Sequence, residues 1–366
     1  MRTLIAGGGT GGHLTPALAV AQALRRADPD GDVLLVGRRG GMEESLVPGS
    51  GLRLETLRVR GIDLGSPMKL PGTALRIARA TVQARGILSR FRPDVVVGAA
   101  GYVSVPVVAA ALLQRIPVVL MEQNAHPGRT TRMFAKRARV VAASFAETAS
   151  ELPGARVVHT GNPVRPEVKA HAGAPLHDAC EHVLVMGGSQ GARRLNDAVA
   201  GSIRQLLTEH PHLRVTHQCG ARDAEWSAPV RAGLPEDMRE RYTVSAFFDD
   251  IGERIRDADL VVMRAGGSSL AETTVLGRPM ILVPYPYAGA HQVDNAMPYV
   301  EARAALLIPD EECGAARFRS EIERVVEDPA LWRRMAAASR EAGRPGADDA
   351  VVALIREAAG AGSVSR

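Results

Sequence analysis

Short runs of apolar, often β-branched residues alternate with longer segments in which apolar positions recur every three or four residues. The runs predict buried strands and the longer segments predict helices, because these are the side-chain periods of the two structures. Strands separated by helices are typical of doubly wound parallel sheets, so we predict an α/β protein with two Rossmann-like domains. The predicted strands form two series: Thr3–Ala6, Val33–Val36, Val95–Val97, Pro117–Leu120, Val140–Ala142 and Val157–His159, then Val183–Met186, Arg214–Gln218, Thr243–Ala246, Leu260–Met263, Met280–Val283 and Ala305–Ile308.

The domain boundary is expected in the segment 161–166, Gly-Asn-Pro-Val-Arg-Pro, because two prolines and a glycine favour a stiff turn. We expect a first domain at residues 1–163 and a second at residues 164–343, with a C-terminal helix near residues 344–360 packing back on the first. Residues 95–114 carry no charge but contain glycines and a proline. They predict a strand, a loop and a short buried helix rather than a membrane span.

Three glycine-rich loops each follow a predicted strand and precede a predicted helix: Gly7–His13, Gly187–Arg193 and Arg264–Glu272. Such a loop presents backbone N–H groups and the positive end of the helix dipole to an anion. In the first loop, Thr15 and Pro16 favour a helix that begins beside them. This loop also matches the dinucleotide fingerprint.

One interpretation is therefore an NADP-dependent reductase, in which Arg38 and Arg39 after the second strand would bind the 2′-phosphate. That enzyme would need only one such loop. Loops in both domains predict instead a cleft in which helix N-termini from two facing domains bind the ligand.

The length of 366 residues indicates two or three domains. An aromatic content of only 4% argues against the base-stacking surfaces of nucleic-acid-binding proteins, so no nucleic acid is expected as a partner. The three cysteines are far apart without a Cys-x-x-Cys motif, which excludes a disulfide framework or a typical zinc site.

The charge is unevenly distributed: residues 1–169 hold 23 basic and 12 acidic side chains, and residues 170–366 hold 22 and 28. The basic first half predicts an anionic partner.

One helical stretch, residues 74–90, has a basic face and an apolar face. Its polar residues at helical spacing are Arg76, Arg79, Gln83 and Arg90, and the apolar residues opposite them are Leu75, Ala78 and Val82. The stretch follows Leu64, Met68, Lys69 and Leu70. A basic face beside apolar groups suits an anionic membrane surface. The alternative is an ordinary solvated helix on a sheet.

An ordered set of motifs resembles a known family. GGGTGGH, GMEESLVP, AGYVSVP, EQNAHPG, GNPVR, GGSQGAR, RAGGSSLAE and HQVDNA follow one another along nearly the whole chain. Together they resemble the bacterial undecaprenyl-diphospho-muramoylpentapeptide β-N-acetylglucosaminyltransferases, which belong to glycosyltransferase family 28, have the GT-B fold and make lipid II.

The resemblance implies an inverting transfer of N-acetylglucosamine from UDP-GlcNAc to the 4-hydroxyl of the muramoyl unit of lipid I, a polyprenyl-pyrophosphate-linked acceptor. It also implies a peripheral location on the cytoplasmic face of the cell membrane.

The resemblance also implies functional residues. Glu272 should hold the ribose, although a glutamate that only complements a helix N-terminus is the alternative. The residues expected to bind UDP-GlcNAc are Thr10, Gly11, Gly12, Asn124, Arg165, Ser189, Phe248, Gly267, Ser268, Ser269, Leu270, Ala271, Glu272 and Gln292. The acceptor should dock on loops 9–13, 101–106 and 124–129, with contacts from Gly101, Tyr102, Ser104 and Asn124.

His13 is the candidate general base, since a histidine titrates near neutral pH; a role in orienting the substrate or contacting its phosphate is the alternative. Helix N-termini near Ser189 and Ser268, where Ser268 can cap its helix, would stabilise the leaving diphosphate. We therefore expect no cofactor and no metal, and we do not expect the contiguous pair Asp249 and Asp250 to bind one.

The chain departs from the family pattern at Met121, where the family has histidine, at Arg38, where it has threonine, and at Ala290, where it has an acid. These differences leave open a related GT-B transferase with another prenyl-phosphate-linked or antibiotic acceptor, or with another UDP-sugar. A scaffold that binds the nucleotide sugar without turnover is a further alternative.

Overall fold

The computed structural model describes residues 1–9, 11–59, 70–188, 191–286 and 291–363. The chain divides into two compact units. Residues Met1–Arg165, together with the C-terminal segment that begins at Gly346, form the first unit, and Pro166–Pro345 form the second. Each unit contains one parallel sheet, so the prediction of two Rossmann-like α/β sheets is confirmed.

The first unit has a seven-stranded sheet, in the order β3-β2-β1-β4-β5-β6-β7, with every pair of neighbours parallel. Its elements are β1 (Arg2–Ala6), α1 (Gly11–Ala27), β2 (Asp32–Arg38), α2 (Glu43–Gly49), β3 (Arg53–Leu57), α3 (Leu70–Phe91), β4 (Val95–Gly98), α4 (Ser104–Leu113), β5 (Val118–Glu122), α5 (Arg129–Phe134), β6 (Val140–Ala143), β7 (Val157–His159) and α15 (Ala347–Ser363).

The strand β3 is the one that hydrophobic patterning missed. Its sequence, Arg-Leu-Glu-Thr-Leu, has three polar residues among five, and most of its side chains are only partly buried. It lies at the edge of the sheet and pairs only with β2. An edge strand does not need the continuous apolar run of a central parallel strand, which is why its signal is weak.

The helix α15 completes the first unit. It packs against α1, and its apolar residues, among them Val351 and Ile355, are fully buried in the same core as Val20 and Ala21 of that helix. Ion pairs join it to neighbouring elements: Arg26 contacts Asp348 at 3.0 Å, and Arg156 makes a two-pronged contact with Glu357. The end of the chain therefore folds with its beginning.

The second unit has a six-stranded parallel sheet in the order β10-β9-β8-β11-β12-β13, which matches the six predicted strands. Its elements are α6 (Pro166–Lys169), β8 (His182–Met186), α7 (Arg193–Glu209), β9 (Arg214–Gln218), α8 (Ala224–Ala232), α9 (Glu236–Arg241), β10 (Tyr242–Ser245), α10 (Ile251–Asp257), β11 (Leu260–Met263), α11 (Gly267–Val275), β12 (Met280–Leu282), α12 (His291–Glu301), β13 (Ala305–Leu307), α13 (Ala315–Val326) and α14 (Pro329–Ala342).

The uncharged segment 95–114 forms the central strand β4 and the buried helix α4, as predicted. Among the described helices, none combines the length and the apolar character needed to span a bilayer.

Each sheet has one point at which the order of the strands reverses. In the first unit this point lies between β1 and β4, and in the second it lies between β8 and β11. Open α/β sheets bind ligands in the crevice at the carboxyl ends of two such strands. The residues that follow these four strands are therefore expected to form the ligand-binding sites.

Candidate functional site

Two loops meet at the reversal point of the first unit. The segment Gly7–His13 follows β1, and the segment that contains Gly101 follows β4. Gly101 has a φ of 78°, and a Cβ on it would lie 2.5 Å from the carbonyl oxygen of Gly8 and 3.5 Å from Nδ1 of His13. Only glycine allows this approach. The structure thus brings together two of the loops predicted for the acceptor.

The helix α1 begins at Gly11, so the prediction of a start beside Thr15 and Pro16 was wrong. The loop before the helix is held by a side chain of α2: the buried carboxylate of Glu43 accepts a hydrogen bond from the Gly9 N–H at 2.6 Å. This carboxylate packs so closely against Gly8 and Gly41 that a Cβ on either would lie within 2 Å of a carboxylate oxygen. Glu43, in the GMEESLVP motif, is a positioning residue that the sequence interpretation missed.

His13 lies in the first turn of α1 and is half-buried. Burial lowers the pKa of His13 below its usual value of 6.5, while the negative charge of Glu122 and a hydrogen bond with the backbone of Gly8 act in the opposite direction. A lowered pKa keeps the imidazole neutral at neutral pH. His13 is then able to accept a proton, as a general base must.

Glu122, at the end of β5, organises the third predicted acceptor loop. Its side chain is buried, and both oxygens accept hydrogen bonds. One oxygen takes the backbone and side-chain N–H groups of Asn124 at 3.1 and 3.3 Å. The other takes the Gly128 N–H at 2.9 Å and the Thr131 hydroxyl at 2.5 Å. The sequence interpretation did not name Glu122, because a buried glutamate at a strand end has no signature apart from the loop that it holds.

The predicted acceptor residues differ in their surroundings. Tyr102 is 53% exposed, and Asn124 is half-buried. Ser104 is fully buried, and its hydroxyl is hydrogen-bonded to the carbonyl oxygens of Ala6 and Ala100 at 2.7 and 2.6 Å. The predicted contact between Ser104 and the acceptor is therefore corrected: this side chain fixes α4 to β1. Gly11 and Gly12 form the start of α1, and Thr10 lies outside the described residues.

In the second unit, the glycine loop after β8 lies against the turn after β9. Gly191 has a φ of 81°, and a Cβ on it would lie 2.6 Å from the carbonyl oxygen of Cys219. The Gly187 N–H donates to the carbonyl oxygen of Gln218 at 3.1 Å, and α7 begins directly after the loop. Ser189 lies outside the described residues.

The helix α11 begins at Gly267 with Gly266 in the capping position, so the prediction that Ser268 caps this helix was wrong. Gly267, Ser268, Ser269 and Ala271 are half-buried. Leu270 is fully buried and its side chain belongs to the core, so only its backbone is left for the predicted ligand contact. Glu272 is buried and lies in the second turn. The helix dipole stabilises negative charge only within the first turn of a helix. The alternative role for Glu272, in which it only complements the helix N-terminus, is therefore weakened.

Phe248 follows β10 and is buried, with the guanidinium of Arg254 4.2 Å from the centre of its ring. Its backbone N–H donates to Oε1 of the buried Gln218 at 3.2 Å. Gln218 therefore links this segment to the glycine loop through its side chain and its carbonyl group. Asp250 of the contiguous acidic pair is bound to Arg254 at 3.0 Å.

Gln292 lies in the first turn of α12, and its Oε1 accepts a hydrogen bond from the Tyr285 N–H at 3.0 Å. Asn295, fully buried on the same helix, donates to the carbonyl oxygen of Ala265, just before α11. Arg264 donates to the carbonyl oxygen of Val283 at 2.9 Å and to Asp310 at 2.6 Å. The ends of β11 and β12 are thus joined.

Arg165, the remaining predicted donor residue, is half-buried and is the last residue of the first unit before α6.

A buried polar network holds the turn after β9, against which the second glycine loop packs. Nε2 of His217 lies 2.9 Å from Oδ1 of Asn196, whose amide nitrogen donates to the carbonyl oxygen of Cys219 and to Asp223. Oδ1 is therefore the acceptor, and Nε2 carries the proton of the neutral ring. Nδ1 then accepts from the Tyr242 hydroxyl at 2.9 Å. Burial lowers the pKa of His217 to about 4.

His217 predicts a pH-dependent stability of the second unit. Because its pKa falls from 6.5 to about 4 on folding, its contribution is complete above pH 6.5 and is lost as the pH falls toward 4. The loss is about 3 kcal/mol of the free energy of unfolding. Urea unfolding followed by tryptophan fluorescence isolates this unit, since Trp226 and Trp332, the two tryptophans of the chain, both belong to it.

The variant His217→Gln should remove that part of the pH dependence between pH 7 and 4.5. The matched variant His212→Gln, at an exposed position, should keep it. An unchanged pH dependence in His217→Gln would show that other groups are responsible.

Known protein families and solved structures resemble this chain. Residues 3–143 match the model of the glycosyltransferase family 28 N-terminal domain, and residues 182–351 match that of the C-terminal domain. The chain is 40% identical to a UDP-N-acetylglucosamine--N-acetylmuramyl-(pentapeptide) pyrophosphoryl-undecaprenol N-acetylglucosamine transferase from Desulforudis audaxviator, over 99% of this chain and 100% of that protein. It is 39% identical to the protein of the same name from Moorella thermoacetica, over 97% and 98%.

A similar solved structure is the crystal structure of MurG from Acinetobacter baumannii. The TM-score is 0.76 at 28% sequence identity, with 97% of this chain and 99% of that chain covered. Family models thus account for most of the chain, and relatives match it over nearly its whole length. The chain belongs to glycosyltransferase family 28.

Proposed function

We propose that this chain transfers N-acetylglucosamine from UDP-GlcNAc to the 4-hydroxyl of N-acetylmuramyl-(pentapeptide)-pyrophosphoryl-undecaprenol, with inversion. The observation that carries this proposal is the reversal point of the second unit, where the glycine loop after β8 and the helix α11, with its buried carboxylate Glu272, lie at the carboxyl ends of adjacent strands. The family and the names of the relatives agree with it.

The donor is proposed to bind mainly the second unit. Glu272 would accept hydrogen bonds from the ribose hydroxyls, and Phe248 and Arg165 would contact the nucleotide. Ser189 and the start of α11 from Gly267 would face the diphosphate, with Leu270 contributing only its backbone. Gln292 would reach the sugar through its amide N–H groups, because its oxygen is already bonded to Tyr285.

The acceptor is proposed to bind the first unit. His13 would take the proton of the 4-hydroxyl as its oxygen attacks the anomeric carbon. The bond from that carbon to the UDP oxygen breaks, and UDP leaves with the electron pair. The lowered pKa of His13 and its contact with the loop of Gly101 support this role. Thr10, Gly11, Gly12, Tyr102 and Asn124 would orient the substrates around it.

The leaving diphosphate is proposed to be stabilised without a metal or other cofactor. The N-termini of α7 and α11 lie at the same edge of one sheet, where their dipoles favour negative charge. Among the described residues, Glu209, His210 and Glu323 form a group that could hold a cation. Glu209 ends α7, before the amino end of β9, so this group lies away from the proposed donor site.

The proposal is tested with purified protein, radiolabelled UDP-GlcNAc and a short-chain analogue of the acceptor, in the presence of EDTA. We expect transfer of the label to the lipid fraction. Unlabelled UDP-GlcNAc should compete, whereas UDP-glucose and UDP-N-acetylgalactosamine should compete poorly. Transfer from another UDP-sugar, or to another prenyl-phosphate acceptor only, would contradict this donor and acceptor and favour a related transferase.

The first unit is further proposed to bind an anionic membrane peripherally, on the cytoplasmic face where nucleotide sugars are available. The helix α3 supports this. Its buried side carries Ala80, Ala84 and Leu88, whereas Leu75 and Val82 are 53% and 70% exposed beside Arg76 and Arg79. The apolar residues therefore lie among the arginines, not opposite them as the sequence pattern predicted. Gln83 and Arg90 contact β3, and residues 60–69, with Leu64, Met68 and Lys69, lie outside the described residues.

Reversing the charges at Arg76 and Arg79 to glutamate should weaken binding to vesicles that contain phosphatidylglycerol. Each basic group near such a surface contributes about 1 kcal/mol, so the loss should be at least about 2 kcal/mol, roughly 30-fold in partitioning. Co-sedimentation at low and high salt measures this. The matched reversal of Arg334 and Arg344, exposed arginines of the second unit, should have little effect. Equal sedimentation of all three proteins would remove the membrane proposal.

A further inference from the structure

An open pocket of about 350 Å³ lies in the first unit, and nothing in the proposed reaction uses it. It is lined by Arg39, Thr56, Arg58 and Gln83, and we refer to it as the arginine pocket. Arg39 directly follows β2 and Arg58 directly follows β3. The pocket is therefore at the carboxyl edge of the sheet.

The backbone around the arginine pocket is held in place. The Arg39 N–H donates to the carbonyl oxygen of Leu57 at 2.9 Å, which continues the pairing of β2 with β3. From α3, Gln83 donates its amide N–H to the carbonyl oxygen of Thr56 at 3.2 Å and accepts the Arg58 N–H at 3.4 Å. Two guanidinium groups are thus mounted on adjacent strand ends that are fixed to each other and to a helix.

The charge of the arginine pocket is positive. A guanidinium stays protonated in proteins. Neither Arg39 nor Arg58 takes part in an ion pair with another described residue. Glu55, beside Thr56 on β3, is bound to Arg90 at 3.1 Å, and strand alternation directs it to the other face. Two guanidiniums with a hydroxyl and an amide form a site for an oxyanion, since the guanidinium fork matches a carboxylate or a phosphate.

The position of the arginine pocket connects it to the acceptor. The strands β3, β2 and β1 are neighbours, so the pocket shares an edge of the sheet with the glycine loop after β1 and with His13. Two strand spacings separate β3 from β1, which is about 10 Å. Arg58 also borders a second hollow with Ile77 and Pro106, which leads toward the 101–106 loop.

We propose that the arginine pocket binds an oxyanion of the acceptor while the reacting hydroxyl lies at His13. This rests on the proposed function, because the acceptor carries two oxyanion sources: the carboxylates of its peptide and its diphosphate. Five extended residues span roughly 17 Å, so the carboxylates of a pentapeptide can reach across about 10 Å. The diphosphate is attached to the same sugar as the hydroxyl.

The test compares Arg39→Gln, Arg58→Gln and the double variant in the transfer assay. The double variant should raise the KM for the acceptor by about 10- to 100-fold, as expected for the loss of two charge-assisted contacts. The KM for UDP-GlcNAc and kcat should stay within about twofold, since a contact kept throughout the reaction changes only binding. Arg53→Gln is the matched control at the amino end of β3, where its partner is Asp32.

Two acceptor analogues distinguish the sources of the oxyanion. If the ligand is a peptide carboxylate, amidation of the peptide carboxylates should raise the wild-type KM and abolish the difference between wild type and the double variant. If the ligand is the diphosphate, the difference should persist with the amidated analogue and with one that lacks the peptide. An unchanged acceptor KM in the double variant, or an equal rise in Arg53→Gln, would overturn the proposal.

Direct binding separates this proposal from the proposed function. Inorganic pyrophosphate and a short peptide with free carboxylates are titrated calorimetrically into the wild type and the double variant. One outcome is that the wild type transfers no sugar but binds one of these probes, while the double variant does not bind it. This outcome would contradict the proposed function and support the arginine pocket as an oxyanion site. If the wild type transfers sugar and the double variant matches it in acceptor KM and probe binding, only the pocket fails.

Discussion

Replacing Glu272 with alanine is expected to weaken the binding of UDP-GlcNAc by at least about 100-fold, measured as a Kd by calorimetry. A hydrogen bond to a charged group contributes roughly 1.5–3 kcal/mol, and a carboxylate on a ribose makes two of them. Glu272 is buried on α11 at the reversal point between β8 and β11, so its contacts with a ligand would be shielded from water. Glu272→Gln, which keeps one acceptor oxygen, should have an intermediate effect.

Two controls test whether this loss is specific. Glu321 on α13 is 5% exposed, as is Glu272, and it pairs with Arg317 and Arg324. Glu321→Ala therefore removes an equally buried glutamate of the same unit, and it should leave the donor Kd unchanged even if it lowers the melting temperature. A UDP-sugar without the ribose 2′-hydroxyl should bind the wild type more weakly, and Glu272→Ala should weaken its binding less than it weakens that of UDP-GlcNAc, because only one of the two hydrogen bonds remains to be lost. Wild-type donor affinity in Glu272→Ala would contradict the assignment.

Replacing His13 with alanine is expected to lower the rate of sugar transfer by about 10²- to 10⁴-fold, the usual contribution of a general base. The Kd for UDP-GlcNAc should change by less than about threefold, because the donor is proposed to bind mainly the second unit. His159→Ala, an exposed histidine at the end of β7, is the matched control and should keep the wild-type rate. A full rate in His13→Ala would instead favour a scaffold or an orienting role.

The pH profile provides a second test of His13. A base acts when it is deprotonated, so activity should fall as the pH drops through the pKa of His13. Burial lowers that pKa below 6.5 despite the opposing charge of Glu122. The rate should therefore stay constant from neutral pH to below pH 6.5 and then decline. The residual activity of His13→Ala should lack this decline; if the decline persists unchanged, another group titrates.

The sequence predicted the central strands well, and the exceptions have physical causes. Twelve of the thirteen described strands were found because they carry runs of apolar residues, and the central ones, such as β4, β5 and β11, are buried along their whole length. The half-buried edge strand β3, with its polar residues, was missed. The start of α1 was misplaced because Thr15 and Pro16 match a local capping signal, whereas the helix begins four residues earlier, after a loop that Glu43 holds from 34 residues along the chain.

In the candidate site, too, features local in the sequence were predicted and features that depend on tertiary contacts were not. Glycine loops and their order indicated the family and the site residues, since a loop that follows a strand is visible in the sequence. The positioning residues Glu43, Gln218 and Asn196 were not found, because their partners come from segments 23 to 34 residues away along the chain. Glu122 was not found because its partners lie in the loop and helix that directly follow it, and a glutamate at a strand end does not reveal that it is buried. Ser104 and Leu270 were taken as ligand contacts within their motifs, and only packing revealed that their side chains are buried.

The sequence alone determined the fold class, the two sheets, the family and the motifs, because each of these depends on local periodicity or on residues adjacent in the chain. The tertiary structure decided which side chains remain accessible to a ligand and which carboxylates hold the loops. It also revealed that Arg39 and Arg58 share a pocket. Such properties depend on strand order and burial, which bring together residues that the chain keeps apart.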